Sequence, residues 1–287
     1  MSGKPAHIDS ARFGPWALVT GASSGIGRGF AEQIAASKIN LVLAARRLST
    51  LDELGRELAG RHGIGFRTVG VDLTGPGFMN AVTEATRDLY IGLVISNAGD
   101  MVLGEFLTIP YDLLIRETRL NVDAHLRLIH HFGQNLARRG RGGLLLVSST
   151  AAMQGVPYSA NYAATKSYVL TLGQALHHEF SGRGINVTVL LPGATQTPML
   201  SRFGADRTAM GRLAMPVDTC VADALKALRA GHAVRISGRM NRLTIAMTPR
   251  SARTRLFGAL SKPMAAQRTR PAIATPADGH ATRIRIS

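Results

Sequence analysis

Tyr162 and Lys166 stand four residues apart in the alanine-rich stretch SANYAATKSYV. On a helix this spacing puts both side chains on one face, so a phenol and an ammonium would share one volume. Such a pair is suited to moving a proton. A phenol titrates near 10, and bringing it to about 7 takes roughly 4 kcal/mol at about 1.36 per unit. One unit charge about 4 Å away, at an effective dielectric of about 20, supplies about that much. Lys166 is therefore expected to draw Tyr162 down toward neutrality.

A second chemical feature is the turn Thr20-Gly21-Ala-Ser-Ser-Gly25-Ile-Gly27, which follows an apolar run and leads into a helical pattern. Glycines placed in this way let a backbone approach a pyrophosphate, while the helix N-terminus offers free N–H groups. Gly21, Ser23, Ser24, Gly25, Ile26 and Gly27 are the candidate contacts. The same letters spell Gly21-Ala-Ser23-Ser-Gly25, the pattern of a hydrolase nucleophile elbow, with His177, His178 and His232 downstream as candidate bases. That elbow normally follows several strands, and this turn follows the first. The pairs His130-His131 and His177-His178 lack metal-ligand spacing, since adjacent helix positions point about 100° apart. No metal site is expected.

These groups need a frame, and the pattern around them supplies one. The runs WALVT, NLVLAA, FRTVGV, LVISN, GLLLVS and INVTVLL read as six strands, with a weaker seventh at AVRIS. They are almost continuously apolar, as strands covered on both faces must be. Between them lie helical patterns: GIGRGFAEQIAASK, LSTLDELGRELAGRH, GFMNAVTEATRDL, residues 110–138 and residues 161–180. The alternation predicts an α/β fold, a Rossmann-type doubly wound parallel sheet of about seven strands with helices on both faces. Residues 1–14 read as a flexible arm and 15–237 as one domain. Residues 238–266 read as a basic extension of two short helices, with Thr248 as cap and Pro249 in the first turn. Residues 267–287 lack periodicity and read as disordered.

Composition narrows the partners. The 287 residues are 45% hydrophobic and 5% aromatic, enough for one sizeable core, and Cys220 is the single cysteine, which rules out an internal disulfide. There is no signal-peptide pattern and no apolar run long enough to span a bilayer, so a cytoplasmic protein is expected. The net charge is +16, yet from Lys226 onward the single acid is Asp278, so the excess belongs largely to the C-terminal segment. Few aromatics interleave those charges, which argues against nucleic acid. Leu256, Phe257 and Leu260 share one face of the extension, which could meet an anionic membrane surface or dock on the domain.

Together these motifs resemble the short-chain dehydrogenase/reductase family from about Trp16 to about Leu200. TGASSGIG is followed in order by Asp72-Leu73, Asn97-Ala98-Gly99, Asn121-Val122, Ser149, Tyr162 with Lys166, and Pro192-Gly193 with Thr195 and Thr197. The resemblance implies an oxidoreductase interconverting a carbonyl and a secondary alcohol, with Tyr162 as acid/base. It implies that Ser149 holds the substrate oxygen, Lys166 binds the nicotinamide ribose, and Asn121 organises a water leading to Lys166. Asp72 and Leu73 would flank the adenine, Asn97 to Gly99 would let the cofactor pass, and Pro192 to Thr197 would hold the carboxamide. Ser96 stands where the family often has a second asparagine. Where NAD-dependent members carry an acid after the second strand, this chain has Ala45, Arg46 and Arg47; a guanidinium grips a 2′-phosphate, so NADP(H) is the expected cofactor. Residues 197–215 would form a lid whose Met199, Leu200, Phe203 and Met210 suit an apolar substrate. A homodimer or homotetramer is implied. The competing readings are the serine hydrolase and an idle cofactor-binding scaffold whose basic tail does the work.

Overall fold

A computed structural model describes residues 7–204, 209–266 and 283–286. The strands are β1 (Trp16–Thr20), β2 (Asn40–Ala45), β3 (Phe66–Gly70), β4 (Ile91–Ser96), β5 (Gly142–Val147), β6 (Ile185–Leu191), β7 (Val234–Ile236) and β8 (Arg283–Ile286). The principal helices between them are α2 (Gly25–Ala36), α3 (Leu48–His62), α4 (Phe78–Thr86), α5 (Tyr111–Thr118), α6 (Ala124–Arg139), α7 (Ala160–Ser181) and α10 (Val217–Arg229). Short helices α1 (Ser10–Phe13), α8 (Pro198–Arg202) and α9 (Ala209–Arg212) add to these, and α11 (Arg239–Met247) and α12 (Arg250–Ala266) form the extension.

The sheet order is β7-β6-β5-β4-β1-β2-β3-β8, and the seven strands from β7 to β3 run parallel. Alternation along each strand feeds two cores. Ala17, Val19, Leu41, Leu43, Leu93 and Ile95 pack with residues of α2, α3 and α10. Leu18, Val42, Val94, Leu144 and Leu146 pack with residues of α4, α6 and α7 on the other face. Burial on both faces is the reason the strands read as unbroken apolar runs. The chain leaves β1 toward β2 and β3, then returns to β4 and proceeds the other way, so the crevice opens between the C-terminal ends of β1 and β4.

Three expectations change, and one left open is decided. The arm over 1–14 is packed from residue 8: Ile8 and Phe13 are buried, and the Ile8 N–H donates to Ser37 Oγ at 3.2 Å. Apolar burial of two side chains outweighs the freedom of a terminus. Residues 267–282 and 287 of the tail lie outside the described residues, whereas 283–286 form β8, antiparallel to β3. An edge strand leaves N–H and C=O groups unpaired, and the RIRI segment satisfies them. The continuous helix expected over 110–138 is interrupted by a π-helical turn at Arg119–Asp123. Finally, the extension is docked. Arg253 is buried; its Nη1 donates to the carbonyls of Ile245 (2.7 Å) and Thr248 (2.6 Å), its Nε to Gln154 Oε1 (3.1 Å) and its Nη2 to the Met153 carbonyl (3.3 Å).

Candidate active site

The glycine turn joins β1 to α2 at the crevice. Gly21 has φ 67 and so occupies the left-handed region. Gly27 has no room for a side chain, because a Cβ there would stand 2.2 Å from the Gly21 carbonyl oxygen and 2.6 Å from Asn97 Nδ2. Ser24 heads α2 without a side-chain cap, which leaves the first N–H groups of a twelve-residue helix open to an anion. Thr20 staples this turn to the neighbouring one: its Oγ accepts from the N–H groups of Asn97 (3.0 Å) and Ala98 (3.1 Å), while Asn97 Nδ2 donates to the Thr20 carbonyl (2.9 Å). This cradle fits a dinucleotide pyrophosphate.

At the end of β2, buried Ala45 is followed by exposed Arg46 and Arg47. Arg47 Nη2 reaches back to Ser23 Oγ at 3.4 Å, while Arg46 acts on the carboxylate of Asp72. Asp72 also accepts from the Thr74 N–H (3.0 Å) and hydroxyl (2.8 Å) and pairs with Arg116 (2.8 Å); burial works against these contacts, and its carboxyl is held below the usual value. Leu73 is buried beside it.

The catalytic candidates meet across the crevice on β5, the π turn and α7. Ser149 follows β5, caps the 3-10 turn Thr150–Met153 through the Ala151 N–H (3.1 Å), and hydrogen-bonds the Tyr162 hydroxyl. Lys166 lies one turn along α7, buried, with Nζ donating to the Val147 carbonyl at 3.0 Å and standing 5.8 Å from the Tyr162 ring centroid. The π turn turns Asn121 fully inward. Its Oδ1 accepts from the Asp100 N–H (3.0 Å), and its Nδ2 donates to the Asp100 carbonyl (2.8 Å) and Thr165 Oγ (3.1 Å). A Cβ on Gly99 would stand 3.0 Å from Lys166 Nζ and 3.1 Å from Asn121 Oδ1, so the three converge at one point.

The electrostatics differ from expectation. Burial pushes Tyr162 up to about 12, with the Ser149 hydrogen bond drawing it partly back and the charges of Glu117 and Asp100 adding to the rise. Burial also pushes Lys166 down to about 8, opposed by Glu117. The approach to neutrality expected from Lys166 does not occur, because the cost of burying a phenolate outweighs the hydrogen bond from Ser149. Tyr162 is thus held as a protonated phenol, able to give a proton.

Other expected residues fall out unevenly. The Pro192 carbonyl accepts the Thr150 N–H at 2.9 Å, and Thr195 is buried and bridged to Met215. Thr197 lies beside Gly25. Gly193 faces Asn241 of α11, where a Cβ would meet Nδ2 at 2.3 Å, so its requirement for glycine comes from packing of the extension. Ser23 has Arg47 as its polar contact, and His177 Nδ1 bonds the Val187 carbonyl (2.8 Å); no Ser–His pair forms there among the described residues. The hydrolase reading falls with that geometry.

Three participants were hidden. His125 is buried between Ser96 Oγ (2.9 Å) and the Ala98 carbonyl (3.1 Å), and burial pushes it down to about 3, so the neutral ring donates to Ala98 and accepts from Ser96. Glu117 is buried one turn before Asn121. Phe257 of α12 packs with Tyr162 against Ala151, Val156 and Ala163. Phe257 is therefore turned into the domain while Leu256 and Leu260 stay exposed, which splits the apolar face suggested for a membrane. Beyond the reacting centre, Leu103, Phe203 and Ala265 form a small core with Met101, Tyr158, Met199 and Met264, joining lid, extension and the loop after β4. Arg202 of α8 pairs with Asp100 across the same gap. The Met210 side chain lies outside the described residues.

The model of the family described as short chain dehydrogenase matches residues 15–208. A 7beta-hydroxysteroid dehydrogenase of Collinsella aerofaciens is 30% identical over 234 residues, covering 80% of this chain and 89% of the relative. A solved structure concerned with 7beta-hydroxysteroid dehydrogenase stereoselectivity superposes with a TM-score of 0.81 at 28% identity, covering 86% of this chain and 98% of the other. A short-chain dehydrogenase from Sphingobium yanoikuyae in complex with NADPH gives a TM-score of 0.72 at 31% identity, covering 92% of this chain and 99% of the other.

Proposed function

This chain belongs to the short-chain dehydrogenase family, and on that footing we propose that it is an NADP(H)-dependent oxidoreductase acting on bulky, apolar ketones of steroid-like size and their secondary alcohols. The observation that carries the chemistry is the meeting of Lys166 Nζ and Asn121 Oδ1 at Gly99, with Tyr162 one turn before Lys166 on α7 and Ser149 on its hydroxyl. The nicotinamide, when bound, supplies or takes up the hydride. Tyr162 gives its phenolic proton to the carbonyl oxygen as negative charge develops there, and Ser149 holds that oxygen and the phenol in register. Lys166, protonated at neutral pH, binds the nicotinamide ribose and supports the charge left on Tyr162. Asn121 holds the Asp100 backbone in place and orients the route by which a proton returns.

A phenol held up at about 12 suits donation, so reduction is the easier direction at neutral pH, and oxidation, which needs the phenolate, gains from alkaline conditions. The NADP(H) reading is supported by Ala45 in place of an acid, by Arg46 and Arg47 beside the glycine turn, and by the NADPH complex of the Sphingobium relative. The apolar cluster of Leu103, Phe203 and Met264 beside the site, together with the steroid specificity named for the Collinsella relative, supports the substrate class. The test is NADPH and NADH consumption with a panel of hydroxysteroid ketones and small aldehydes. Higher kcat/KM for NADPH and for the bulky ketones is expected; parity of the two nicotinamides would refute the cofactor assignment, and absence of turnover on every carbonyl would favour the idle scaffold.

A further inference from the structure

We infer that Arg253 is a positioning residue for the substrate: it locks the C-terminal extension onto the turn headed by Ser149, and the extension so held is the wall that selects bulky ketones over small ones. The inference rests on the reading of Ser149 and Tyr162 as the reacting pair given above. Arg253 lies in the first turn of α12, 7% exposed, where a guanidinium is rare unless its donors are matched. Its Nη1 donates to the carbonyls of Ile245 (2.7 Å) and Thr248 (2.6 Å), at the end of α11, where helix carbonyls lack partners within their own helix. One side chain therefore joins the two helices of the extension.

The other two nitrogens face the domain. Nη2 donates to the Met153 carbonyl (3.3 Å) and Nε to Gln154 Oε1 (3.1 Å), and Gln154, itself buried, donates through Nε2 to the Thr150 carbonyl (3.0 Å). All four acceptors of Arg253 are uncharged, so the planar fork of donors sets the geometry. Thr150–Met153 is the turn that Ser149 caps through the Ala151 N–H. The domain also holds this turn by itself, from the Thr150 N–H to the Pro192 carbonyl (2.9 Å) and from Ser167 Oγ to the Ala152 carbonyl (2.9 Å). Ser149 thus keeps its place without the extension, and what Arg253 adds is the place of the extension itself.

From that anchor α12 runs close along residues 155–157: a Cβ on Gly155 would meet Thr254 Cγ2 at 3.9 Å, and one on Gly258 would stand 3.0 Å from Pro157 Cγ. Phe257 packs with Tyr162 against Ala151, Val156 and Ala163. Two turns further on, Met264 and Ala265 pack with Leu103 of the loop after β4 and with Met199 and Phe203 of the lid. That end lies about 18 Å beyond Arg253 at about 1.5 Å per residue, so any effect of Arg253 there passes through the helix. One helix therefore borders both the proton donor and the lid. A small ketone needs only Ser149 and Tyr162, whereas a bulky one gains affinity from the apolar surface that α12 keeps in place.

Arg253→Met removes every donor and keeps most of the stem. In the full-length chain, hydrogen exchange of the α12 amides should rise while β1 to β6 stay protected. NADPH-dependent reduction is then followed over ketones from acetone to hydroxysteroid size. KM for the bulkiest is expected to rise about 10-fold or more, with kcat, NADPH affinity and the KM of the smallest ketones each within about 2-fold of wild type. Unaltered exchange of α12, or a loss equal for small and bulky ketones, or no loss at all, would overturn the inference. If Arg253→Met does not fold, Gly258→Val displaces the same helix at Pro157 from a position that makes none of the Arg253 hydrogen bonds. The same size-dependent rise in KM is expected there, and its absence would overturn the inference. Wild type separates the two readings: absence of turnover on every ketone would refute the catalytic one, whereas turnover with a size-independent loss in the variants would overturn only the role of Arg253 and its helix.

Discussion

On the β1 side the crevice is made of backbone: Gly21 and Gly27 are shaped by the absence of side chains, Thr20 locks two turns together, and α2 begins with open N–H groups. On the α7 side it is made of ionisable side chains removed from water, with Tyr162 raised, Lys166 and His125 lowered, and Glu117 held among them. The first side has no room for an added atom at Gly27. The second tolerates changes of shape better than changes of charge. A dinucleotide offers the same phosphates whatever the reaction, so a bare turn with open N–H groups can receive it; proton transfer depends on which protonation state burial selects, so it needs electrostatic control.

The contrast can be broken most severely by adding one carbon. Gly27→Ala would force a Cβ against the Gly21 carbonyl, and NADPH binding should weaken by about 100-fold or more, consistent with loss of several kcal/mol. Isothermal calorimetry reads this, and unchanged affinity would show that the turn does not hold the phosphates. Next in size is a charge on the backbone side. Arg46→Ala should cut the preference for NADPH over NADH by about 10- to 150-fold, the worth of one charged hydrogen bond. The ratio of kcat/KM values measures it, and if Arg47→Ala has the larger effect, the guanidinium beside Ser23 is the selector.

The α7 side yields smaller, graded effects. Phe257→Ala should cost about 2 kcal/mol of stability, less than the roughly 3–5 kcal/mol of a fully buried phenylalanine, and should raise KM for bulky ketones by opening the wall beside Tyr162. Denaturant unfolding and steady-state kinetics check the two parts. His125 gives a signed effect. Its folded-state value of about 3 lies below the ordinary 6.5, so between those limits the unfolded chain binds a proton that the folded chain refuses. Stability contributed in this way is present above about 6.5 and is lost on acidification at up to about 1.36 kcal/mol per pH unit. His125→Gln, which can keep both hydrogen bonds, should flatten that slope in melts from pH 6.5 to 4.5; identical slopes would mean that His125 accepts a proton in place.

What was legible in the sequence follows the same division. Strands buried on both faces leave continuous apolar runs, and a turn that excludes Cβ atoms leaves glycines, so β1 to β6 and the crevice could be placed from spacing alone. Nothing in the sequence sets apart the acid at Glu117, the imidazole at His125 or the guanidinium at Arg253, because burial of a lone charged residue is decided by distant segments. The magnitude assigned to Lys166 failed for that reason: the sequence gives a charge and a separation but not the loss of water around Tyr162. The π turn left no mark beyond an asparagine within a helix. RIRI at the C-terminus alternates with strand period, a signal overridden by the prolines and polar residues before it.

The central claim is that Tyr162 is the proton donor, and Tyr162→Phe addresses it by deleting one oxygen. Single-turnover reduction of a bulky ketone by bound NADPH, compared with NADPH affinity measured by fluorescence, should show a loss of about 10²- to 10⁴-fold in rate with affinity nearly unchanged. Wild-type rates in the phenylalanine variant on several ketones would contradict the account.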